Sequence, residues 1–418
     1  MTESAALLPD LFDPKVIDDP FDWYQQALAR GPLAKAGGGT VQLVLSHEMV
    51  SAAAGRPGDF SSDFGAMMAG ARPDDPEIAA IVAQGWPQVD TMLTADPPVH
   101  TRFRKLVNMA FSMPRVEAME ADIRAIVRDL LDGLDGCDSI ELVHDFAVPL
   151  PVTVIAGQIG MGRDDVGRVK RWSDAFADRL GGMASREREI ECAREIVEFQ
   201  HFLKAKIDER RDGQGPNDLL GAIVNARAEG AAPLDDAEIL SVVQQLMVAG
   251  NETTTSTIAG GLLLLIRNPD QLAKVRADRR LIPNMVEEML RLLSPVAGLW
   301  RITKHDTELG GEPIAAGSMV MLRFAAANRD PAVFPEPDRF DVERKNARSH
   351  LAFGRGIHMC VGNMLSRKEL AVAFDEMIAR YASFELPEGL NDFRHAPNKL
   401  LRGLSALHVR MVPHATTD

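Results

Sequence analysis

The sequence predicts a mainly α-helical fold with small β-sheets, because helical periodicity recurs along the 418 residues while strand patterns are few. Strands are predicted for residues 40–45 and 319–322, each after glycine, and we expect strands to concentrate near the two ends of the chain. Two helices are indicated by one apolar face each. The first face consists of Met119, Ile123, Ile126, Val127 and Leu130, and its helix follows a start signal at Ser112 and Pro114. The second face consists of Ile190, Ala193, Val197 and Ile207.

The longest predicted helix covers about residues 235–267. Asp235 and Asp236 carry the carboxylates that favour a helix start, and Asn268 followed by Pro269 is a stop signal. The middle of this helix, residues 253–257, is rich in threonine, although a purely structural central helix should be apolar there. This departure from the local rule indicates a functional site in the helix.

Composition and charge exclude several classes of partner. The chain has a formal charge of −14 and a pI near 5.3, so neither nucleic acid nor an anionic membrane is expected to bind it. The scattered cysteines Cys137, Cys192 and Cys360 form no disulfide framework and indicate a reducing compartment. The sequence has no signal-peptide pattern, no apolar stretch of transmembrane length and no internal repeat. We therefore expect a soluble, cytoplasmic protein with a single domain over residues 1–418.

The strongest chemical signal is residues 353–362, where three glycines surround Cys360 directly before a helical run. Glycine permits positive φ and close approach of the backbone to a flat ligand. A cysteine near a helix N-terminus is favoured as the thiolate, and a thiolate can ligate iron. The alternative is a buried cysteine in a glycine-rich turn. That alternative is the better interpretation of an isolated Cys-x-Gly, but not of the full ten-residue pattern.

This pattern resembles the haem loop of the cytochrome P450 superfamily, and further motifs in the expected order extend the resemblance over nearly the whole chain. The resemblance implies a cytochrome P450 fold, a single large domain built around one haem b. It also implies that Cys360 is the iron ligand and that other residues of the loop contact the cofactor. The implied loop contacts are Phe353, Gly354, Gly356, His358 and Gly362.

Residues 249–254 resemble the oxygen-activating segment of the family's long distal helix, which implies that Glu252 and Thr253 support proton delivery to dioxygen. Independently of the family, a threonine hydroxyl can bond the carbonyl one turn back, which loosens a helix and opens a groove for water. An ordinary back-bond in a core helix remains the alternative. Glu252 stands where the family usually has aspartate, a common variation that leaves the proton relay chemically possible.

Glu288 and Arg291 resemble the family's ExxR motif, and Arg339 resembles the third member of the associated ion network. Spacing of three places the first two on one helix face, where an ordinary surface pair is the alternative. If the three residues are buried, they fix the geometry of the chain before the cysteine loop rather than add net stability. The resemblance also implies contacts to the haem propionates, any one of which could alone be a surface charge. These implied contacts are His100, Arg104, Arg301 and His358.

The resemblance implies a mostly apolar substrate pocket, lined in part by residues 60–93 and 296–299. An apolar organic substrate is expected, and terpenoids, steroids, fatty acids and aromatic compounds all remain open. Gln245 is the exception, because its amide could bind either a substrate oxygen or a neighbouring helix or water. We expect residues 61–94 to be mobile and to control access. The implied pocket residues are Leu93, Gln245, Val248, Ala249, Ala297, Leu299 and Leu404.

With this resemblance, the sequence predicts a haem-thiolate monooxygenase that inserts one oxygen atom from O2 into its substrate. No flavin, nicotinamide or iron–sulfur pattern is present, so we expect a separate donor, an acidic ferredoxin with its NAD(P)H-dependent reductase. The alternatives are a peroxide-driven peroxygenase, which typically lacks the acid–threonine pair, and a non-catalytic haem sensor. The cations expected to attract the ferredoxin are Arg115, Arg344, Lys345, Arg348, Arg355, Arg367 and Lys368.

Overall fold

The computed structural model describes residues 8–65, 72, 74–162, 165–181, 184–395 and 398–414. Helices dominate this part of the chain, as predicted. In chain order they are α1 (Pro14–Asp18), α2 (Phe21–Arg30), α3 (His47–Ala54), α4 (Pro76–Val82), α5 (Val99–Ala110), α6 (Met113–Ala118), α7 (Glu120–Asp132), α8 (Pro149–Gln158), α9 (Val166–Gly181), α10 (Arg186–Asp208), α11 (Leu219–Val224), α12 (Asp236–Arg267), α13 (Pro269–Ala277), α14 (Ile282–Leu293), α15 (Phe324–Ala327) and α16 (Asn363–Arg380).

The strands of the described chain form three small sheets. They are β1 (Leu33–Ala36), β2 (Val41–Val44), β3 (Phe60–Ser61), β4 (Ile140–Glu141), β5 (Leu299–Thr303), β6 (Thr307–Leu309), β7 (Glu312–Ile314), β8 (Met319–Leu322), β9 (Tyr381–Glu385) and β10 (His408–Pro413). The sheets have the strand orders β1-β2-β8-β5-β3, β4-β10-β9 and β6-β7. The predicted fold class, mainly helical with small sheets, is confirmed.

Two details of the sequence prediction are wrong. The helix expected from Ser112 onward is two helices, because Met119 ends α6 and caps α7. Strands also occur away from the two predicted ones, at β4 in the interior of the sequence and at β5, β6 and β7 before β8. By contrast, α12 lies within a residue of its expected bounds, and the predicted strands correspond to β2 and β8.

The chain forms two compact units. The first comprises Met1–Ser62, Ala259–Cys360 and Leu386–Leu407, and the second comprises Asp63–Ile258, Val361–Glu385 and His408–Asp418. Helix α12 passes from the second unit into the first after Ile258. The expectation of a single domain over residues 1–418 stays a prediction.

The first unit is built around its five-stranded sheet. Strand β2 pairs in parallel with β8, with Gln42 opposite Val320, whereas β8 and β5 are antiparallel. One of its apolar clusters packs Phe60 of β3 and Leu322 of β8 against Phe324 and Leu351. This packing brings the segment that precedes the cysteine loop onto the sheet.

The second unit is mainly helical. Its core joins the apolar faces of α5, α8, α9, α10, α11 and α12, and includes Trp172 and Phe199, whose ring centroids are 5.5 Å apart. The small sheet β4-β10-β9 also belongs to this unit. No helix in the described ranges combines the length and the apolar character needed to cross a bilayer.

Candidate active site

The cysteine loop, residues 353–362, is closed at its base by a hydrogen bond of 2.8 Å from the Cys360 N–H to the Phe353 carbonyl. Gly354 and Gly356 have positive φ, 69° and 74°, which favours glycine at both positions. A Cβ on Gly356 would also lie 2.4 Å from the Ala54 carbonyl oxygen, so this position accepts no side chain. The loop turns at these two glycines, and the Cys360 side chain is exposed.

Gly362 has a different reason to be glycine. Its φ is −83°, and among the described residues the nearest atom that a Cβ there would meet is on the Phe111 ring, 3.9 Å away. Packing against protein therefore does not explain this glycine. Helix α16 begins at the next residue, so Cys360 lies three residues before a helix start in the sequence, a position that favours a thiolate.

The threonine-rich middle of α12 bonds to its own backbone. Thr253 Oγ1 donates to the Ala249 carbonyl at 3.0 Å, and Ser256 Oγ donates to the Glu252 carbonyl at 2.7 Å. The expected back-bond of Thr253 is thus present. It leaves the hydroxyl oxygen able to accept a second hydrogen bond, so the helix geometry is compatible with both interpretations of this residue.

The Glu252 carboxyl of α12 is partly desolvated by the protein around it. Part of its surface is accessible, yet desolvation by the surrounding protein raises the pKa of the carboxyl. Lys170 acts in the opposite direction and Asp174 adds a smaller increase to the pKa. A raised pKa brings the carboxyl closer to the working pH of a group that both accepts and donates protons.

Glu369 is a second buried acid that the sequence patterns did not single out. It lies on α16, is 4% exposed and shares a hydrogen bond with Thr254 of α12. Burial raises the pKa of Glu369 to about 8, and the hydrogen bond with Thr254 lowers it only in part. The carboxyl is therefore protonated at neutral pH. The sequence signal that could have identified Glu369 is an acid among apolar residues of α16, including Leu365 and Leu370.

The structure corrects the third member of the ion network, which is Arg344 and not Arg339. Glu288 and Arg291 are fully buried and paired, with 2.7 Å between Arg291 Nε and Glu288 Oε2. Arg344 Nε donates to the other carboxylate oxygen at 2.8 Å. The Arg339 guanidinium instead pairs with Glu336 at the surface, and 53% of that side chain is exposed. Within the described residues, Arg339 contributes its backbone carbonyl to the network, and this carbonyl accepts from both buried arginines.

The residues expected at the propionates lie in ordered elements of their own units. In the second unit, His100 and Arg104 lie one turn apart on α5, and His100 is buried. In the first unit, Arg301 is buried within β5, and His358 lies in the short turn of the cysteine loop. Their assignment to the haem propionates stays a prediction.

The expected pocket residues fall into one group in each unit. In the first unit, a backbone hydrogen bond of 2.7 Å from Ala297 to Leu400 joins the stretch 296–299 to the loop that leads to Leu404, and Leu299 begins β5. In the second unit, Thr91 Oγ1 donates to Gln245 Oε1 at 2.6 Å and joins the segment of Leu93 to α12. The Gln245 amide thus has a protein partner. Val248 and Ala249 follow it on α12.

The segment expected to be mobile is held at several points. Gln200 on α10 bonds both backbone groups of Trp86, at 2.9 and 3.0 Å, and Ser241 on α12 accepts from the Val89 N–H at 3.0 Å. Residues 66–71 and 73 of the same segment lie outside the described chain. Control of access by residues 61–94 stays a prediction.

Known proteins are similar to this chain over most of its length. Residues 170–403 match the model of the cytochrome P450 family. The chain is 36% identical over 400 residues to the cytochrome P450 monooxygenase PikC of Streptomyces venezuelae, covering 94% of this chain and 91% of that protein. The chain belongs to the cytochrome P450 family.

Two further similarities agree with this assignment. The chain is 38% identical to the 6-deoxyerythronolide B hydroxylase of Saccharopolyspora erythraea, over 77% of this chain and 78% of that protein. The solved structure of the cytochrome P450 CYP109Q5 from Chondromyces apiculatus has a TM-score of 0.84 at 31% identity, over 97% of this chain and 98% of that one.

As a member of the cytochrome P450 family, the protein binds haem b and is a monooxygenase, which oxidises an organic substrate with O2 and electrons from redox partners. The alternatives, a haem sensor or a peroxygenase, are not favoured. The residues present fit this cofactor. The exposed Cys360 offers a soft sulfur donor, and packing against the described protein atoms does not explain the missing side chain at Gly362.

The cations around the cysteine loop of this cytochrome P450 are not equivalent. Arg344 is buried against Glu288, so it is not part of a docking surface, contrary to the prediction. Lys368 is bonded to Glu120 at 2.6 Å, and Arg348 lies 3.4 Å from Glu287. Lys345 and Arg355 are exposed. Arg367 bonds Asn363, and Arg115 bonds Asn217, at 2.7 and 2.9 Å.

The raised pKa of Glu369 predicts a pH-dependent stability for this cytochrome P450. The folded chain keeps the proton up to about pH 8, whereas the ordinary pKa of the group is 4.5. The contribution of this carboxyl to stability is therefore fully present below pH 4.5 and is lost as pH rises toward 8, on the order of 5 kcal/mol in all. We expect Glu369→Gln to match wild type near pH 5 and to have a higher melting temperature at pH 8–9.

Glu376 on the same helix is a matched control of opposite sign. Burial alone would raise its pKa, but hydrogen bonds from Arg128 and Arg124 hold it below its usual value. Glu376→Gln should therefore be less stable than wild type above pH 5 and approach it only in acid. A melting-temperature difference between Glu369→Gln and wild type that is the same at pH 5 and pH 9 would contradict the assignment.

Proposed function

We propose that Cys360 supplies the thiolate to the haem iron, and that Glu252 and Thr253 deliver protons during the reductive activation of dioxygen. The observation that carries the proposal is the tight, glycine-turned loop that closes between Phe353 and Cys360 and exposes the cysteine side chain. Haem held by this thiolate would supply the chemistry of O–O cleavage, by which one oxygen atom of O2 would enter a C–H bond of the substrate with electrons from the redox partner. In this proposal His100, Arg104, Arg301 and His358 hold the propionates, as cationic or hydrogen-bond donors to carboxylates.

The proposed substrate is an apolar organic molecule. Six of the seven candidate pocket residues, all except Gln245, carry aliphatic side chains, which bind by apolar contact and shape rather than by many polar anchors. The hydroxylase among the relatives acts on 6-deoxyerythronolide B, as its name states. Thr91 donates to the Gln245 carbonyl oxygen, so we assign this oxygen to holding the segment of Leu93, and we assign any contact with a substrate oxygen to the amide N–H groups of Gln245.

Thr253→Ala tests the proton relay. We expect haem binding to stay nearly intact, while the fraction of reduced nicotinamide that yields product falls and hydrogen peroxide rises correspondingly, because a hydroxyl beside Glu252 is lost. Coupling is measured as product and peroxide formed per nicotinamide consumed. Ser256→Ala removes a back-bond of the same kind one turn on and should leave coupling unchanged. If both variants show the same coupling, the Thr253 hydroxyl serves as a helix back-bond and does not take part in proton delivery.

The proposed electron donor is an acidic ferredoxin with its NAD(P)H-dependent reductase. A cationic surface beside the cysteine loop raises the association rate of an acidic partner, and salt screens this attraction. We expect the double variant Arg355→Glu and Arg367→Glu to be reduced more slowly by ferredoxin, most strongly at low salt. Reduction by a small uncharged reductant should be unaffected. Stopped-flow reduction at low and high salt measures both rates.

The control for net charge reverses two exposed arginines outside the loop and its flanks, Arg194→Glu with Arg394→Glu, whose side chains are 63% and 76% exposed. This pair makes the same change in total charge and should reduce the ferredoxin rate much less. If both double variants lose the same rate, general charge rather than a surface at the cysteine loop controls association.

A further inference from the structure

The three residues directly before the cysteine loop, 350–352, are held by buried side chains rather than by a helix or sheet. His350 is buried, and its Nδ1 accepts the Ala352 N–H at 3.1 Å. Because a backbone N–H can only donate, the ring proton must lie on Nε2. His350 Nε2 therefore donates to Glu287 Oε2, 3.0 Å away, and Glu287 lies on α14.

Asn328 holds the residue between these two contacts. It is fully buried, and its Oδ1 accepts the Leu351 N–H at 2.6 Å. Its Nδ2 donates to Ser294 Oγ at 2.9 Å. Ser294 caps α14 in a left-handed conformation, φ 45°, and its hydroxyl donates to the Arg291 carbonyl at 2.9 Å. The contact of His350 with Glu287 and the contact of Asn328 with Ser294 thus both lead to α14.

These four residues, Glu287, Ser294, Asn328 and His350, form what we call the loop anchor. Two consecutive backbone N–H groups, those of residues 351 and 352, bond to side chains that are themselves fixed by further hydrogen bonds. Such a fully satisfied buried network permits few alternative arrangements. Phe353 follows at once, its ring 5.8 Å from that of His350, and its carbonyl accepts the hydrogen bond that closes the cysteine loop.

We propose that Asn328 and His350 are positioning residues, which hold the base of the cysteine loop so that the Cys360 sulfur meets the iron as a thiolate. A hydrogen bond removed from a buried backbone N–H leaves that donor unsatisfied, so the loop would shift to recover a partner. The sulfur at the far end of the loop would shift with it. This inference rests on Cys360 being the iron ligand, which is tested separately by Cys360→Ser.

Asn328→Ala removes both arms of one contact. We expect the haem-containing variant to shift toward the thiol-ligated form by roughly tenfold or more relative to wild type, read from the spectrum of the reduced carbon monoxide complex. Hydrogen exchange of the holoprotein should show faster exchange at the amides of residues 351–352. Asn225→Ala is the matched control, because Asn225 also bonds backbone groups, the Arg210 and Gly221 carbonyls, in the second unit.

Two conservative variants at His350 keep the proposal testable even if Asn328→Ala does not fold. His350→Asn keeps an acceptor near the position of Nδ1 and should retain most thiolate ligation, whereas His350→Phe keeps the ring but no hydrogen bond and should lose it. The proposal is overturned if Asn328→Ala and His350→Phe keep the wild-type thiolate fraction. A loss no greater than that of Asn225→Ala at matched stability would also overturn it. If Cys360→Ser loses thiolate ligation but the Asn328 and His350 variants keep it, Cys360 is still the iron ligand and the role of the loop anchor is rejected.

Discussion

Replacement of Cys360 by serine is expected to abolish thiolate ligation of the iron and to reduce monooxygenation to background. A serine hydroxyl is a far poorer donor to iron than a thiolate and is not ionised at neutral pH. The change replaces one sulfur atom with an oxygen atom in an exposed side chain, so the fold of the loop should persist. Product formation and the electronic spectrum of the purified variant measure the two effects.

Cys137→Ser is the matched control for this prediction. Cys137 is also an exposed free cysteine, but it lies in a turn between α7 and β4, away from the glycine-rich loop in the sequence. Its replacement should change neither spectrum nor turnover. A Cys360→Ser variant with the wild-type spectrum and turnover would show that the iron ligand is another residue.

Replacement of Arg344 should have the second largest effect, and it distinguishes the observed ion network from the one predicted from the sequence. Arg344→Met leaves Glu288 buried with a single arginine, and also removes donors from the Pro335 and Glu336 carbonyls. Breaking a buried ion pair from one side typically costs about 3–5 kcal/mol, a large part of the stability of a domain. We expect poor haem retention and a melting temperature far below that of wild type.

Arg339→Met provides the comparison, because the described structure places the Arg339 guanidinium in an exposed ion pair with Glu336. Exposed pairs contribute at most about 1 kcal/mol, so this variant should be close to wild type. Arg344→Lys should be intermediate, since a lysine keeps the charge but cannot reach several carbonyls at once as a guanidinium does. Equal melting temperatures for Arg339→Met and Arg344→Met would contradict the observed network.

The features that could be predicted from the sequence are those with a local or periodic signature. Helix α12 was bounded by Asp236 and by the stop at Asn268, because caps and breakers act within a turn. The loop around Cys360 could be recognised because positive φ at Gly354 and Gly356 restricts the residue type. Both signals are contained in a few neighbouring residues.

The features that could not be predicted depend on where a side chain points in irregular chain. Arg339 and Arg344 both lie between α15 and the cysteine loop, where no period assigns one side chain to the core and the other to solvent. The roles of Asn328 and His350 depend on backbone N–H groups that secondary structure leaves unpaired, and no residue type marks these. Glu369 was hidden for a related reason, because its partner Thr254 belongs to another helix.

The central claim, a haem held by the Cys360 thiolate, is tested most directly by the absorption spectrum of the reduced, carbon monoxide-bound wild-type protein. This spectrum separates a thiolate from a neutral thiol or a nitrogen ligand on the iron. The account predicts the thiolate-ligated spectrum for the purified protein, and its loss in Cys360→Ser. A wild-type spectrum typical of a histidine ligand or a protonated thiol, in protein that retains its haem and its fold, would contradict it.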